Sequence, residues 1–285
     1  MRTPDWALEL TAESAGWSWS SLRIGEIGAG GRAAIDSGEE ELLILPLEGS
    51  FTAECDGERF ELEGRPGVFQ ATTDFVYVGR GRHVTVSSPG GGRVAFPGAR
   101  ALRDLPCRYG PADSVGVELR GAGACTRQVN NICLPGVFDT DRLMVCEVLT
   151  PAGNWSSYPP HKHDETRPGE SELEEIYYFE VAGGRGGAGM AYQRVYGTAQ
   201  RPIDVLAEVR SGDVVLVPHG WHGPSMAVPG YDLYYLNVMA GPGERAWLIC
   251  DDPAHAWVRA TWTGQPTDPR LPMYGTHGPG REPAP

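Results

Sequence analysis

The chain has 285 residues and a formal net charge of −13 at pH 7, with 41% hydrophobic and 21% charged residues. This composition is typical of a globular protein and excludes an intrinsically disordered one. The acidic balance argues against a nucleic-acid-binding surface, because such surfaces are basic. The sequence contains no run of eighteen apolar residues and no basic segment followed by an apolar one at the N-terminus. We therefore expect a soluble, cytoplasmic protein without membrane contact.

The first half of the sequence alternates short β-branched and aromatic runs with turn residues. Gly, Asp or Pro separates successive runs, and Cys55–Glu58 contains the Asp-Gly pair typical of a hairpin turn. A glycine-rich break and an irregular stretch follow, up to about residue 123. Strands are predicted at 41–47, 50–54, 59–62, 75–78 and 83–86.

Strand patterns resume in the second half, and helical periodicity is nearly absent. The predicted strands lie at 143–148, 176–179, 190–196, 213–217 and 231–239. The order of strands is weakly similar in the two halves, which a duplicated barrel would explain. We predict an all-β fold, a bicupin with two jelly-roll-type β-barrels. The expected units are a barrel without metal at 1–125, a metal-binding barrel at 126–265 and a Pro/Gly-rich tail at 266–285.

The six cysteines are spread along the chain and form no Cys-x-x-Cys pair. In a cytosolic protein this pattern favours free or buried thiols over a disulfide framework. None of them resembles a metal ligand. They are Cys55, Cys107, Cys125, Cys133, Cys146 and Cys250.

Three histidines and one glutamate in the second half form a candidate metal site. His161 and His163 are two positions apart, so on a strand both side chains face the same side while Lys162 faces the other. A His-x-His pair alone is more often solvated, but Glu175 and His222 belong to separate predicted strands. Three imidazoles and one carboxylate suit a single divalent ion, Zn, Mn, Fe or Ni, and leave positions open to water or substrate.

Over nearly its whole length the chain resembles the 5-deoxy-glucuronate isomerases of bacterial myo-inositol catabolism. These are two-domain cupins related to the 4-deoxy-5-ketouronate isomerases of pectin breakdown. By this resemblance the metal ligands fall on the same four residues. The segments that carry it are 149–165, 174–179, 212–218 and 229–241.

The chain departs from that family in two places. His219 stands where the family usually has an arginine. The separation between His163 and Glu175 is longer than in a generic cupin motif. The intervening residues 164–174 are polar and contain Pro168 and Gly169, so we interpret them as a flap beside the metal.

The resemblance implies a metal-dependent aldose–ketose isomerase that converts 5-deoxy-D-glucuronate to 2-deoxy-5-keto-D-gluconate. The reaction needs a Lewis acid and a base that moves a proton between adjacent carbons, or a metal-assisted hydride shift. The candidates for the base are Asp164, Glu165, Tyr235 or a hydroxide held by the metal. The sequence does not choose among them.

The substrate would be a small sugar acid, so its carboxylate needs a partner. Arg194 on a predicted strand is the preferred residue, because a guanidinium binds a carboxylate through two parallel hydrogen bonds. Gln193 and Lys162 are further candidates for substrate binding. Homo-oligomerisation is possible, and nothing in the sequence selects an oligomeric state.

Two other functions stay open at this stage. A cupin-type iron dioxygenase could use the same ligands, although the isomerase-like stretch 154–160 disfavours it, and oxygen consumption would test it. A non-catalytic sugar-binding bicupin would not require all four ligands, and metal analysis would separate it from the two enzymes.

Overall fold

The computed structural model describes residues 6–183 and 187–274, and nearly all of its regular structure is β-strand. The described part contains three short 3₁₀ helices, at Ala112–Ser114, Gly123–Cys125 and Ala256–Trp262. None of these helices has the length and hydrophobicity to cross a membrane. The all-β prediction is confirmed. β-branched and aromatic residues fill the strands, and Gly, Pro and Asp occupy the turns, as their backbone preferences require.

The first nine strands pair with one another in a single bent sheet. They are β1 (Trp6–Leu10), β2 (Ser20–Ile27), β3 (Gly31–Asp36), β4 (Glu40–Cys55), β5 (Glu58–Arg65), β6 (Phe75–Val78), β7 (His83–Ser88), β8 (Gly92–Arg100) and β9 (Arg108–Gly110). β4 is central and pairs with β5, β6, β7 and β8 along its length. Register shifts near Gly49 bend it, so the sheet folds back on itself as the first barrel.

The later strands form two six-stranded sheets and a hairpin. They are β10 (Gly116–Arg120), β11 (Arg127–Asn131), β12 (Met144–Thr150), β13 (Trp155–Ser156), β14 (His161–Lys162), β15 (Asp164–Arg167), β16 (Glu170–Glu172), β17 (Glu174–Val181), β18 (Ala191–Tyr196), β19 (Asp204–Val209), β20 (Val214–Val217), β21 (Trp221–Ala227), β22 (Leu233–Ala240) and β23 (Cys250–Asp251). One sheet has the order β10-β11-β12-β22-β17-β20. The other has the order β19-β18-β21-β14-β23, with β13 beside β21. β15 and β16 form the hairpin.

The sheet that contains β12, β17 and β22 is buried on both faces. On one face, Tyr178 and Tyr234 pack against residues of the first barrel such as Leu43. On the other face, Tyr177 and Tyr235 pack against β18, β19 and β21. The two-residue period of a strand produces this alternation. The two barrels therefore lie back to back, and the second barrel has its own interior.

Apolar side chains fill the interior of the first barrel. Leu42, Ile44, Val76 and Phe96 are almost completely buried there. His83, the one histidine among the described residues of the first barrel, is exposed. The metal-free first barrel stays a prediction, and this apolar filling supports it.

The strand pairing places the division between the barrels earlier than residue 125. β10 lies before that position, but it pairs with β11 in a sheet of the second barrel. We infer that the division lies between β9 and β10. In the expected tail, residues 266–274 are described, and Leu271 and Tyr274 are buried. Residues 275–285 lie outside the described part.

Cys55 and Cys107 form a disulfide, which corrects the expectation of free thiols for this pair. The two residues are 52 positions apart. The first barrel nevertheless brings the end of β4 beside the segment before β9, with the two Cα atoms 6.7 Å apart. The other four cysteines are free.

Candidate metal centre

Three strands of the second barrel and the residue after one of them position the predicted ligands. His161 begins β14, His163 follows that strand directly, Glu175 lies on β17 and His222 lies on β21. β14 pairs with β21 so that His161 is opposite His222, whereas β17 belongs to the other sheet. All four side chains are buried. The candidate site therefore lies between the two sheets, inside the barrel.

The ligand atoms of these residues converge. Nε2 of His163 is 2.9 Å from Oε2 of Glu175, and Nε2 of His222 is 3.0 Å from the same oxygen. The ring centroids of His161 and His163 lie 4.4 Å and 4.7 Å from that of His222. His163, Glu175 and His222 each offer a ligand atom within 4.8 Å of the others. His161 joins this group through its contact with His222.

Backbone carbonyl groups orient two of the imidazoles. Nδ1 of His161 is 3.3 Å from the carbonyl oxygen of Pro159, and Nδ1 of His222 is 3.3 Å from that of Gly220. An imidazole that donates from Nδ1 keeps its lone pair on Nε2, which is the tautomer that a metal requires.

The charge states also suit metal binding. Burial and the neighbouring imidazoles of His222 and His163 lower the pKa of His161 well below its ordinary value, so this ring is neutral. Burial would raise the pKa of Glu175, but His222 and His163 outweigh burial and lower that pKa. A neutral imidazole and an ionised carboxylate are the forms that bind metal.

The surroundings of one buried imidazole nitrogen indicate whether a metal ion fits this site. Nε2 of His222 has no hydrogen-bond partner among the described residues, although it lies close to Glu175. An unpaired buried nitrogen is costly, and a cation that accepts its lone pair would satisfy it. Three nitrogen donors and one carboxylate are ligands that Zn and similar divalent ions accept. The residues present therefore fit a metal ion.

Two other groups of potential ligands in the described part have different roles. Cys55 and Cys107, beside Asp56, are joined in the disulfide. Asp164 and Glu170 lie beside Glu165 in the flap, where basic side chains compensate their charge. Neither group offers the convergent imidazole nitrogens of the barrel site.

A cavity of about 250 Å³ opens beside His161 and Glu175. Its remaining wall combines hydroxyl, amide, apolar and guanidinium groups. These belong to Arg120, Arg127, Val129, Val148, Ser157, Tyr177, Tyr235, Asn237, Trp247, Ile249 and Arg259. A larger cavity of about 590 Å³, lined in part by Arg93 and Glu180, contains none of the four ligands.

Three hydroxyl groups are connected inside the small cavity. Oγ of Ser157 lies 2.9 Å from the hydroxyl of Tyr235 and 3.1 Å from that of Tyr177. Gly223 beside His222 permits this arrangement: its φ is +95°, and a Cβ there would clash with the carbonyl oxygen of Ser157. Only glycine lets β21 approach Ser157 so closely.

The flap predicted at 164–174 contains the hairpin of β15 and β16. Lys162 is buried at its base, and Nζ lies 2.6 Å from both Asp164 and Glu170 and 3.1 Å from Glu165. Asp164 also accepts a hydrogen bond from the backbone of Gly220. These contacts place Asp164, Glu165 and Lys162 outside the wall of the cavity.

Arg194 and Gln193 contact other parts of the barrel. Arg194 pairs with Asp204 and donates to the carbonyl oxygen of Val205 at 2.9 Å, so its guanidinium lies on the outer face of β18. Gln193 is fully buried, and Oε1 accepts a hydrogen bond from Ser225. Neither residue lines the cavity with the ligands. Of the residues predicted from the sequence to bind substrate or act as the base, Tyr235 lines this cavity.

The sequence analysis missed the polar lining contributed by β10 and β11. Both strands lie in or next to the stretch interpreted as irregular. The sequence carries no clear signal for them: Arg127–Asn131 is buried at its first four positions although it is mostly polar, and in Gly116–Arg120 the arginine is out of phase with the valine.

The fold and this site define a two-domain cupin with a candidate metal centre in its second barrel. An IolB-like protein from Salmonella typhimurium LT2 has a similar structure, with a TM-score of 0.83, 33% identity and coverage of 90% of this chain and 98% of that one. Oxalate decarboxylase from Lactobacillus farciminis shares the fold at 11% identity, with a TM-score of 0.63 and coverage of 88% and 85%.

Residues 2–258 match the KduI/IolB family, and the chain belongs to this family. A protein of Geobacillus kaustophilus named 5-deoxy-glucuronate isomerase is 42% identical over 254 residues, 88% of this chain and 90% of that protein. A Bacillus subtilis strain 168 protein of the same name is 37% identical over 253 residues, 88% of this chain and 91% of that protein. The family resemblance and the bicupin prediction are confirmed.

Proposed function

We propose that this protein is a metal-dependent 5-deoxy-glucuronate isomerase of myo-inositol catabolism. It converts 5-deoxy-D-glucuronate to 2-deoxy-5-keto-D-gluconate. The observation that carries the proposal is the convergence of His161, His163, Glu175 and His222 beside a small polar cavity in a member of the KduI/IolB family. Relatives with 37% to 42% identity bear this enzyme name.

The four residues would hold one divalent ion, which when bound supplies Lewis acidity toward the carbonyl and the adjacent hydroxyl of the substrate. The side chains of the protein must carry out the proton transfers of the reaction. The aldehyde carbon gains a hydrogen, the neighbouring carbon loses one, and protons are exchanged between their oxygens. The cavity of about 250 Å³ is small, which suits a six-carbon acid better than a larger ligand.

We assign the transfer of protons at the substrate oxygens to Tyr235. Among the three side chains considered as a base, it is the one in the cavity wall. Its hydroxyl is fully buried and bonded to Ser157, which connects it to Tyr177. This chain of hydroxyl groups gives a proton two alternative positions next to the substrate. Buried groups held in this way can donate or accept a proton without reorganising solvent.

Incubation of the purified protein with 5-deoxy-D-glucuronate tests the proposal. The aldehyde signal in the ¹³C NMR spectrum should decrease while a ketone signal appears, and prior chelation should abolish the conversion. In D₂O, deuterium in the new hydroxymethyl group indicates proton transfer, whereas retention of hydrogen indicates a hydride shift. Absence of conversion by the metal-loaded protein, or oxygen consumption in its place, contradicts the assigned function.

A further inference from the structure

Three guanidinium groups line the cavity beside the candidate ligands His161 and Glu175. They belong to Arg120, Arg127 and Arg259. Arg120 and Arg127 are direct partners across β10 and β11. Like charges directly opposite each other destabilise a sheet. Such an arrangement is understandable if the protein binds an anion there.

Arg127 differs from the other two arginines because its charge has no counterion among the residues that the structure describes. Arg120 pairs with Glu118 at 2.9 Å, and Arg259 contacts both carboxylate oxygens of Asp251, with Nη2 at 2.7 Å from Oδ1. Within the described ranges, no carboxylate oxygen lies within 4.0 Å of the guanidinium nitrogens of Arg127. Its hydrogen bond to the protein runs from Nη1 to the carbonyl oxygen of Cys125 at 3.2 Å.

The surroundings of Arg127 make a missing counterion costly. The residue is only 8% exposed, and its guanidinium carbon lies 5.9 Å from the ring centroid of Trp262. A guanidinium has five N–H donors, and among the described residues Arg127 finds an acceptor in the carbonyl oxygen of Cys125 alone. Burial lowers the pKa of Arg127, and the charges of Arg120 and Arg259 lower it further. A buried cation normally has a partner.

We propose that Arg127 binds the carboxylate of the substrate, with Arg120 and Arg259 adding positive potential at the same place. This deepens the proposed function and rests on it. A planar carboxylate can accept two parallel hydrogen bonds from the guanidinium, and it would supply the counterion that Arg127 lacks among the described residues. The contact fixes the carboxylate end of the linear substrate, so its aldehyde end is directed toward His161 and Glu175. The cavity thereby selects sugar acids over neutral sugars.

Arg127→Gln provides the test, because it removes the charge and the guanidinium group but keeps a shorter polar side chain. We expect kcat/KM for 5-deoxy-D-glucuronate to fall by about 100-fold, mainly through KM. The same measurement with 5-deoxy-D-glucose, which has a hydroxymethyl group in place of the carboxylate, should change less than about threefold. Arg210→Gln, on an exposed turn, is the control and should leave both substrates unaffected.

A binding measurement separates this inference from the proposed function. The metal-loaded wild type should bind D-gluconate in a calorimetric titration, and Arg127→Gln should lose that binding at equal metal content. If the wild type does not convert 5-deoxy-D-glucuronate, the proposed function is wrong. If the wild type converts it and Arg127→Gln keeps the preference for the acid over the neutral sugar, the proposed role of Arg127 is wrong. An equal loss for acid and neutral substrate also overturns it. If Arg127→Gln does not fold, Arg127→Lys keeps the charge and should lose about 10-fold or more on the acid alone.

Discussion

At the scale of single residues, the metal centre depends on how each imidazole is held before an ion arrives. Nδ1 of His161 and of His222 faces a backbone carbonyl oxygen at 3.3 Å. Glu175 stands within 3.0 Å of two imidazole nitrogens. A cation bound here would take the place of the proton that His163 now shares with that carboxylate. The strands, and not the ion, define the position of the four side chains.

We therefore expect His161→Ala, His163→Ala and His222→Ala each to lose metal and activity but to keep the fold. Removing one of four ligands should lower metal affinity by more than about 100-fold. Metal content after dialysis, activity and the circular dichroism spectrum measure the three quantities. His83→Ala, at an exposed position of the first barrel, is the control. Wild-type metal content in one of the three variants would show that its histidine is not a ligand.

Tyr235 allows a second residue-level prediction. Tyr235→Phe removes the hydroxyl that contacts Ser157 and leaves the packed ring in place. We expect kcat to fall by about 100-fold, as for loss of a general acid–base group, while metal content is unchanged. Tyr178→Phe, on the opposite face of the same sheet, removes a hydroxyl bonded to Glu180 and should leave kcat unchanged. Equal kcat values for the two variants would contradict the role of Tyr235.

At the scale of the secondary-structure elements, the sequence predicted the apolar strands and missed the polar ones. β12, β17 and β22 are rich in β-branched and aromatic residues, so periodicity and composition indicate them. β11 is buried but mostly polar. On one face of β11, Arg127 lines the cavity beside His161 and Glu175. On the other face, Asn130 donates a hydrogen bond to the carboxylate of Glu147. A strand whose two faces both contact polar networks has no hydrophobic pattern to detect.

The four candidate ligands were recognisable from the sequence for a related reason. His161 and His163 have the spacing of one strand face, and Glu175 and His222 adjoin strongly apolar strands. The proposed partner of the substrate carboxylate, Arg127, was not predictable from its position along the chain. Ala191 and Val195 face the barrel core, so Arg194 between them faces outward. The outward direction of Arg194 could be read from the alternation of the sequence. The contact between Arg120 and Arg127 could not, because it depends on which strands pair.

The approach of β21 to Ser157 gives a prediction at this scale. Gly223 and Gly212 have nearly equal φ angles, +95° and +91°, but a Cβ on Gly212 would meet no atom within 4 Å. Gly212→Ala should cost about 1–2 kcal/mol for the unfavourable backbone conformation alone. Gly223→Ala should cost about 3–5 kcal/mol, because the backbone of Ser157 must also move. Urea unfolding of both variants measures the difference, and equal losses would show that the contact between β21 and Ser157 is not restrictive.

At the scale of the whole molecule, the two barrels are joined through a shared core and a buried ion pair. Residues of both barrels form one apolar cluster between the sheets. Inside this interface Arg65, from β5, donates to both carboxylate oxygens of Glu147, from β12. Asn130 and Tyr234 also donate to Glu147, each at 2.9 Å. The network is completely buried and crosses from one barrel to the other.

The network satisfies its polar groups almost entirely within the protein. Nε of Arg65 donates to the carbonyl oxygen of Pro46 at 3.0 Å, and Nη1 donates to that of Ala71 at 3.2 Å. A buried pair of this kind contributes little compared with an apolar replacement, but it is costly to break from one side. We infer that it favours one arrangement of the two barrels over others.

Glu147→Gln tests this inference. The variant leaves the charge of Arg65 buried without a counterion, so we expect a loss of about 3–5 kcal/mol in the free energy of unfolding. Glu208→Gln breaks the exposed pair with Arg210 and should cost less than about 1 kcal/mol. Adding Arg65→Met to Glu147→Gln removes the unpaired charge, so the double variant should be less destabilised than the sum of the single variants by about 1–3 kcal/mol. Additive losses in denaturant unfolding would mean that Arg65 and Glu147 do not act as a pair, and the interface would then depend on its apolar cluster alone.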